Sequence, residues 1–174
     1  MKIASFSENL EFEKRISVTP EIASKYLSLG FEVILKNNYG KHLGFEDNDY
    51  IKLGVKFASE DQDLVNDANI FIQHSLPSDN QLSILKSDQT LIGVFNPYEN
   101  KDKLENLTKK KLNIFSLEML PRITRAQSMD ILSSQANLAG YKAVIESFAT
   151  FEKAIPMMMT AAGTVPAAKV LVAG

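Results

Sequence analysis

Two polar clusters interrupt the apolar patterning of this 174-residue chain. The denser one runs Pro121-Arg122-Ile123-Thr124-Arg125-Ala126-Gln127-Ser128-Met129-Asp130 and continues through Ser133, Ser134, Gln135 and Asn137. Arginine offers a planar, bidentate fork to phosphate or carboxylate. The spacing predicts a helix starting near Gln127. Asp130 would lie one turn on and Ser133 or Ser134 a further turn on, all on roughly one face. Such a face could hydrogen-bond a carboxamide, a ribose or a phosphate. The same residues also read as a helix-capping network with an Arg–Asp surface pair.

The second cluster is Glu13-Lys14-Arg15-Ile16-Ser17-Val18-Thr19-Pro20. Arg15 could bind an anionic substrate near strand ends, or lie in a solvated loop. His74 follows a candidate strand and precedes Pro77, where the sites of open sheets collect. A lone histidine is as readily structural. Lys109-Lys110-Lys111 reads as a solvated helix end. The chain has no cysteine and only two histidines, His42 and His74, far apart in sequence. Disulfides, thiolate nucleophiles and a local metal motif are therefore not expected. Nineteen basic against 21 acidic residues leave a net charge of −2, with no positive field for nucleic acid.

The elements that position these residues follow from apolar patterning. Segments 2–6, 31–35, 55–58, 69–74, 90–95 and 112–116 are short, near-continuous apolar runs, the pattern of parallel strands covered on both faces. Thr19-Pro20 starts a helix that Gly30 ends, placing it near residues 20–29. Ser78-Asp79-Asn80-Gln81 forms a capping box ahead of Leu82. Residues 100–110 are polar, with Leu104 and Leu107 at helical spacing. This alternation predicts an α/β fold with a doubly wound parallel sheet and right-handed crossovers.

The pattern changes after Pro121. Residues 128–151 read as one long helix or two, with Gly140 inside it as a point of close packing. Residues 154–168 are uncharged but too short for a span and hold Pro156, Gly163 and Pro166. They read as buried helix and loop. Residues 169–173 read as a last buried strand, either returning to the first sheet or opening a second domain. The N-terminus reaches Glu8 before any long apolar region, so no secretory signal is expected.

The stretch "PRITRAQSMDILSSQANLAG", then "YKAV" and "PMMMTAAGTVPAAKVLVAG", closely resembles the NAD(H)-binding α subunit of proton-translocating transhydrogenases. "EKRISVTPE" and "LGFEV" are similar to the wider family shared with alanine dehydrogenases. The resemblance implies a Rossmann- or flavodoxin-like three-layer domain over 1–126 and a linking helix over 127–154. It makes 155–174 the start of a truncated dinucleotide-binding domain whose first turn glycine is Gly174. It implies NAD(H) as cofactor, contacted by Arg122, Ile123, Thr124, Arg125, Gln127, Asp130, Ser133 and Gly174. Gln127 and Asp130 would position the nicotinamide without acid–base chemistry.

The implied partners are a membrane component and a component carrying NADP(H), in a homodimeric assembly on the cytoplasmic side of the inner membrane. In alanine dehydrogenases an arginine, a lysine and a histidine process the keto acid. Arg15 matches the first, but the other two places read Gln73-His74-Ser75 and Phe95-Asn96-Pro97. An alanine-dehydrogenase-like enzyme, or a non-catalytic module without the dinucleotide domain, stand as alternatives.

Overall fold

The computed structural model describes residues 1–173; Gly174, one of the expected cofactor contacts, lies outside the described residues. The six apolar runs become strands β1 (Lys2–Ser5), β2 (Glu32–Lys36), β3 (Lys56–Ala58), β4 (Ile70–Ile72), β5 (Thr90–Gly93) and β6 (Asn113–Ser116). They form one parallel sheet in the order β3-β2-β1-β4-β5-β6. The register sets Ile3 opposite both Val33 and Ile70, and Leu91 opposite Phe71 and Ile114. The chain builds outward from β1 to β3, then returns to the other side of β1 at β4. This is the doubly wound order, with its reversal between β1 and β4.

Helices α1 (Pro20–Ser28), α2 (Asp47–Ile51), α3 (Asp61–Asp67), α4 (Asp79–Ile84) and α5 (Lys101–Lys109) connect the strands. The capping signals work as their chemistry dictates. Thr19 Oγ1 accepts from the Ile22 N–H at 3.4 Å, with Pro20 at the first helical position. The Ser78 N–H donates to Gln81 Oε1 at 3.0 Å, and the Gln81 N–H donates back to Ser78 Oγ. Two helices, α2 and α3, start after Glu46 and Glu60, so none of the strongly preferred capping residues marks them in the sequence. They are five and seven residues long and mostly polar. Burial of Tyr50, and of Leu64 and Val65, holds them on the sheet.

The strands bury residues on both faces. Ile34 packs with Ala4, Phe71, Leu91 and helix residues Leu64, Val65, Leu82 and Leu107. Its neighbours Val33 and Leu35 join Val18, Ala23, Tyr39 and Tyr50. Successive side chains of a strand point to opposite faces, so α1 and α2 cover one face and α3, α4 and α5 the other. Phe6 stacks on Phe71 with ring centroids 4.8 Å apart, tying β1 to β4 at the reversal.

The chain forms two compact units, Met1–Met129 and the residues from Asp130 onward. The second unit contains α6 (Ile131–Thr150) and an antiparallel hairpin of β7 (Met158–Thr160) and β8 (Gly163–Val165). Three expectations fail here. The long helix starts at Ile131 rather than Ser128, because Asp130 takes the N-cap. Residues 154–168, expected as buried helix and loop, hold an exposed hairpin whose turn uses Gly163 at φ 129°. Residues 169–173, expected as a strand, pair with no described segment, and Leu171 is 93% exposed. A strand is defined by its ladder, and apolar composition alone does not supply one.

No residue of α6 is buried, and a Cβ at Gly140 would meet nothing within 4 Å. The close packing expected at Gly140 is not present among the described residues. No described helix is long and apolar enough to cross a membrane.

Candidate functional site

At the C-terminal ends of β1 and β4, where the sheet reverses, lies a cleft of about 420 Å³ lined by Glu8, Asn9, Phe12, Glu13, Gln73 and Ser75 among others. Open α/β sheets place their ligands at such a reversal. Its floor is a buried polar network. Ser5 Oγ lies 2.8 Å from Tyr39 Oη. Gln73 is 4% exposed. Its amide nitrogen donates to Ser5 Oγ and Glu8 Oε1 at 3.2 Å each, and its oxygen accepts from the Phe6 N–H at 2.7 Å.

Glu8 Oε1 also accepts from two consecutive backbone donors after β4, the His74 N–H at 2.6 Å and the Ser75 N–H at 3.3 Å. Burial raises the Glu8 carboxyl above its ordinary range, although these backbone donors pull the other way. Glu13 grips Arg15 through its Nε and its backbone N–H, both at 2.8 Å. Hydrogen bonding from Arg15 holds the Glu13 carboxyl down to about 2. His74 Nδ1 lies 3.9 Å from Glu13 Oε2. Burial first, then the Arg15 charge, lowers the His74 pKa, with Glu13 opposing.

Arg15 and His74, separate in the sequence, are thus brought together through Glu13. Sequence reasoning missed Glu8, Gln73 and Tyr39. The available signal was that Glu8 and Gln73 stand just beyond the ends of adjacent strands.

The second candidate cluster occupies the exit from the sheet. Residues Thr124–Met129 form a 3₁₀ segment. It is anchored by buried Ala126, whose N–H donates to the Ile123 carbonyl at 2.9 Å. Arg122, Ile123, Thr124, Arg125 and Gln127 are all exposed. Asp130 has φ −74° and ψ 90°, outside the helical region. Its Oδ1 accepts from the Ser133 N–H at 3.0 Å and its Oδ2 from the Ser133 hydroxyl at 2.7 Å.

This corrects the single helical face expected for Gln127, Asp130 and Ser133. An aspartate ahead of an apolar helix satisfies an orphan N–H by capping it, which breaks helical continuity at that residue. Asp130 and Ser133 are brought together, and Gln127 stands outside the helix on the 3₁₀ segment. The capping component of the alternative reading is therefore present. Among the described residues no cluster of three or more His, Cys, Asp or Glu could hold a metal ion.

Comparison with known proteins supplies the family. A family model described as "Alanine dehydrogenase/PNT, N-terminal domain" matches residues 6–139. The whole chain is 40% identical to a Rickettsia prowazekii protein named as the first part of NAD(P) transhydrogenase subunit alpha, covering 46% of that protein. It is also 40% identical to the like-named protein of Rhodospirillum rubrum, covering 47% of it. A crystal structure of transhydrogenase from Sinorhizobium meliloti superposes with a TM-score of 0.88 at 40% identity, over 95% of this chain and 50% of that one. The chain thus spans about half the length of these relatives. With a match over most of its length, the chain belongs to the alanine dehydrogenase/PNT N-terminal domain family.

Proposed function

We propose that this chain is the N-terminal portion of the NAD(H)-binding subunit of a proton-translocating transhydrogenase, acting in direct hydride transfer between NADH and NADP⁺. The observation that carries this reading is the polar segment 122–130 at the exit from the sheet, with Arg122, Thr124, Arg125 and Gln127 exposed, in a chain 40% identical along its whole length to a transhydrogenase α chain. The enzyme alternative, an alanine dehydrogenase, has less support. The cleft holds Arg15 against Glu13, and the stretches after β4 and β5, Gln73-His74-Ser75-Leu76-Pro77 and Phe95-Asn96-Pro97, contain neither the lysine nor the histidine that reading needs there.

The donor set fits one end of NAD(H). Gln127 is an exposed carboxamide donor and acceptor beside two exposed arginines. The described residues contain no glycine-rich turn opening a helix, so the pyrophosphate has no match among them. Bound NAD(H) supplies the hydride chemistry. Gln127 would orient the carboxamide of the nicotinamide and Asp130 the ribose. Arg122, Ile123, Thr124, Arg125 and Ser133 would shape the loop and exclude water. No proton moves at the reacting carbon, so these side chains need only positioning ability.

In the same reading, residues 155–174 open a dinucleotide-binding domain whose glycine-rich turn begins with Gly174. The subunit forms a homodimer, and NADP(H) sits on a partner component. A membrane component couples transfer to proton translocation and keeps the subunit on the cytoplasmic face of the inner membrane.

The test is a chimera in which this chain replaces the matching 47% of the Rhodospirillum rubrum subunit. Transfer from NADH to an NADP⁺ analogue in the presence of the partner components supports the reading. A chimera that folds and binds NADH yet transfers no hydride counts against it.

A further inference from the structure

Two strand ends in this sheet share one unusual arrangement. Beyond β4, the consecutive N–H groups of His74 and Ser75 both point at Glu8 Oε1, at 2.6 and 3.3 Å. Beyond β5, the consecutive N–H groups of Phe95 and Asn96 both point at Glu118 Oε1, at 2.8 and 2.5 Å. Asn96 itself takes φ 46°, in the left-handed region. Paired backbone donors at the carboxyl end of a parallel strand are where an open sheet receives an anionic substrate group. Here each pair is filled by a carboxylate from a distant stretch of the chain, 66–67 residues from the donors after β4 in one case and 22–23 residues from those after β5 in the other.

The segment that delivers Glu8 is pinned at several points. Residues 6–18 contain no helix or strand. Past Glu8, Glu13 holds Arg15, and His42 Nε2 lies 2.8 Å from the Lys14 carbonyl. At the far end the Ser17 and Val18 N–H groups donate to Tyr39 Oη at 3.2 and 3.3 Å. Arg15 is thereby engaged with a carboxylate of its own loop.

We propose that Glu8 and Glu118 are built-in carboxylate ligands that fill the anion seats at the ends of β4 and β5, closing these two strand ends to small carboxylates from outside. The arrangement is a self-occupied site. Its ligand class is a carboxylate of about formate size, because one oxygen satisfies both donors of each pair.

The experiment uses the full chain and its Glu8→Ala and Glu118→Ala variants, with sodium formate as probe against sodium chloride at equal ionic strength. The readout is amide hydrogen exchange at residues 74, 75, 95 and 96. In Glu8→Ala, amides 74 and 75 should exchange about tenfold faster while 95 and 96 hold, and formate should slow them again. Glu118→Ala should show the reverse pattern. The unsubstituted chain should not respond to formate. If Glu8→Ala or Glu118→Ala does not fold, Glu8→Asp and Glu118→Asp carry the same measurement, since withdrawal by one methylene empties the seat and keeps the charge. Unchanged exchange in folded variants would overturn the proposal. So would an equal formate response with and without the substitution.

Discussion

The Tyr39 hydroxyl lies 2.8 Å from Ser5 Oγ and accepts the N–H groups of Ser17 and Val18. One phenol thus ties the end of β1 to the entry into α1. Tyr39 is 2% exposed, and burial pushes its pKa up to about 12, so it stays neutral at any working pH. Tyr39→Phe keeps the ring but leaves two backbone donors and Ser5 without this partner. The expected loss is about 1–3 kcal/mol, read from urea unfolding. An unchanged midpoint would mean that water replaces the hydroxyl at no cost.

Gly93 ends β5 against the floor of the cleft. A Cβ there would stand 2.4 Å from the Gln73 carbonyl oxygen and 2.7 Å from the Phe95 ring. Neither neighbour is a flexible tip. Gly93→Ala should cost about 1–3 kcal/mol through overpacking. It should also shift the Gln73 amide resonances, visible by NMR. Gly140→Ala is the internal control. Its Cβ meets nothing, and alanine favours the helix by up to about 1 kcal/mol.

The pH profile separates two glutamates in one loop. Burial raises the Glu8 carboxyl in the folded protein. Its stabilising contribution is therefore present below the unfolded-state value and is lost as pH rises through the raised folded value. Glu8→Gln removes that dependence, so the variant should gain on the unsubstituted chain as pH increases through that window. Glu13 behaves oppositely. Held at about 2 by Arg15, it contributes stability above its unfolded value that is lost as pH falls toward 2. Urea unfolding from roughly pH 3 to 8 measures both. A Glu8→Gln difference that is flat with pH would contradict the burial of that carboxyl.

Asp130 caps α6, so Asp130→Ala should lower stability by about 1 kcal/mol, whereas Asp130→Asn keeps an acceptor oxygen and loses less. Thermal melting distinguishes the two variants. Equal losses would show that the charge, through the helix dipole, matters more than the acceptor.

Local signals were legible and non-local ones were not. The strand runs, the Thr19 and Ser78 caps and the stop at Gly30 each depend on a few neighbouring residues, and each appears in the structure. Helices α2 and α3 escaped because Tyr50, Leu64 and Val65 are their only buried anchors. Spacing alone puts Asp130 inside a helix, although its residue type favours a cap. The partners of Glu8, Tyr39 and Glu118 lie about twenty or more residues away, and no periodicity links them. The lone run at 169–173 shows the same limit, since its strand character depends on a neighbour.

Positioning of the nicotinamide by Gln127 can be tested with a single substitution. Gln127→Asn keeps the carboxamide and shortens it by one methylene, on an exposed residue outside every described α-helix and strand ladder. In the chimeric subunit with its partner components, single-turnover transfer from NADH to an NADP⁺ analogue should slow by as much as about a hundredfold. NADH affinity and melting temperature should stay nearly constant. An unchanged transfer rate would contradict the assignment, and so would a loss of rate matched by an equal loss of NADH affinity.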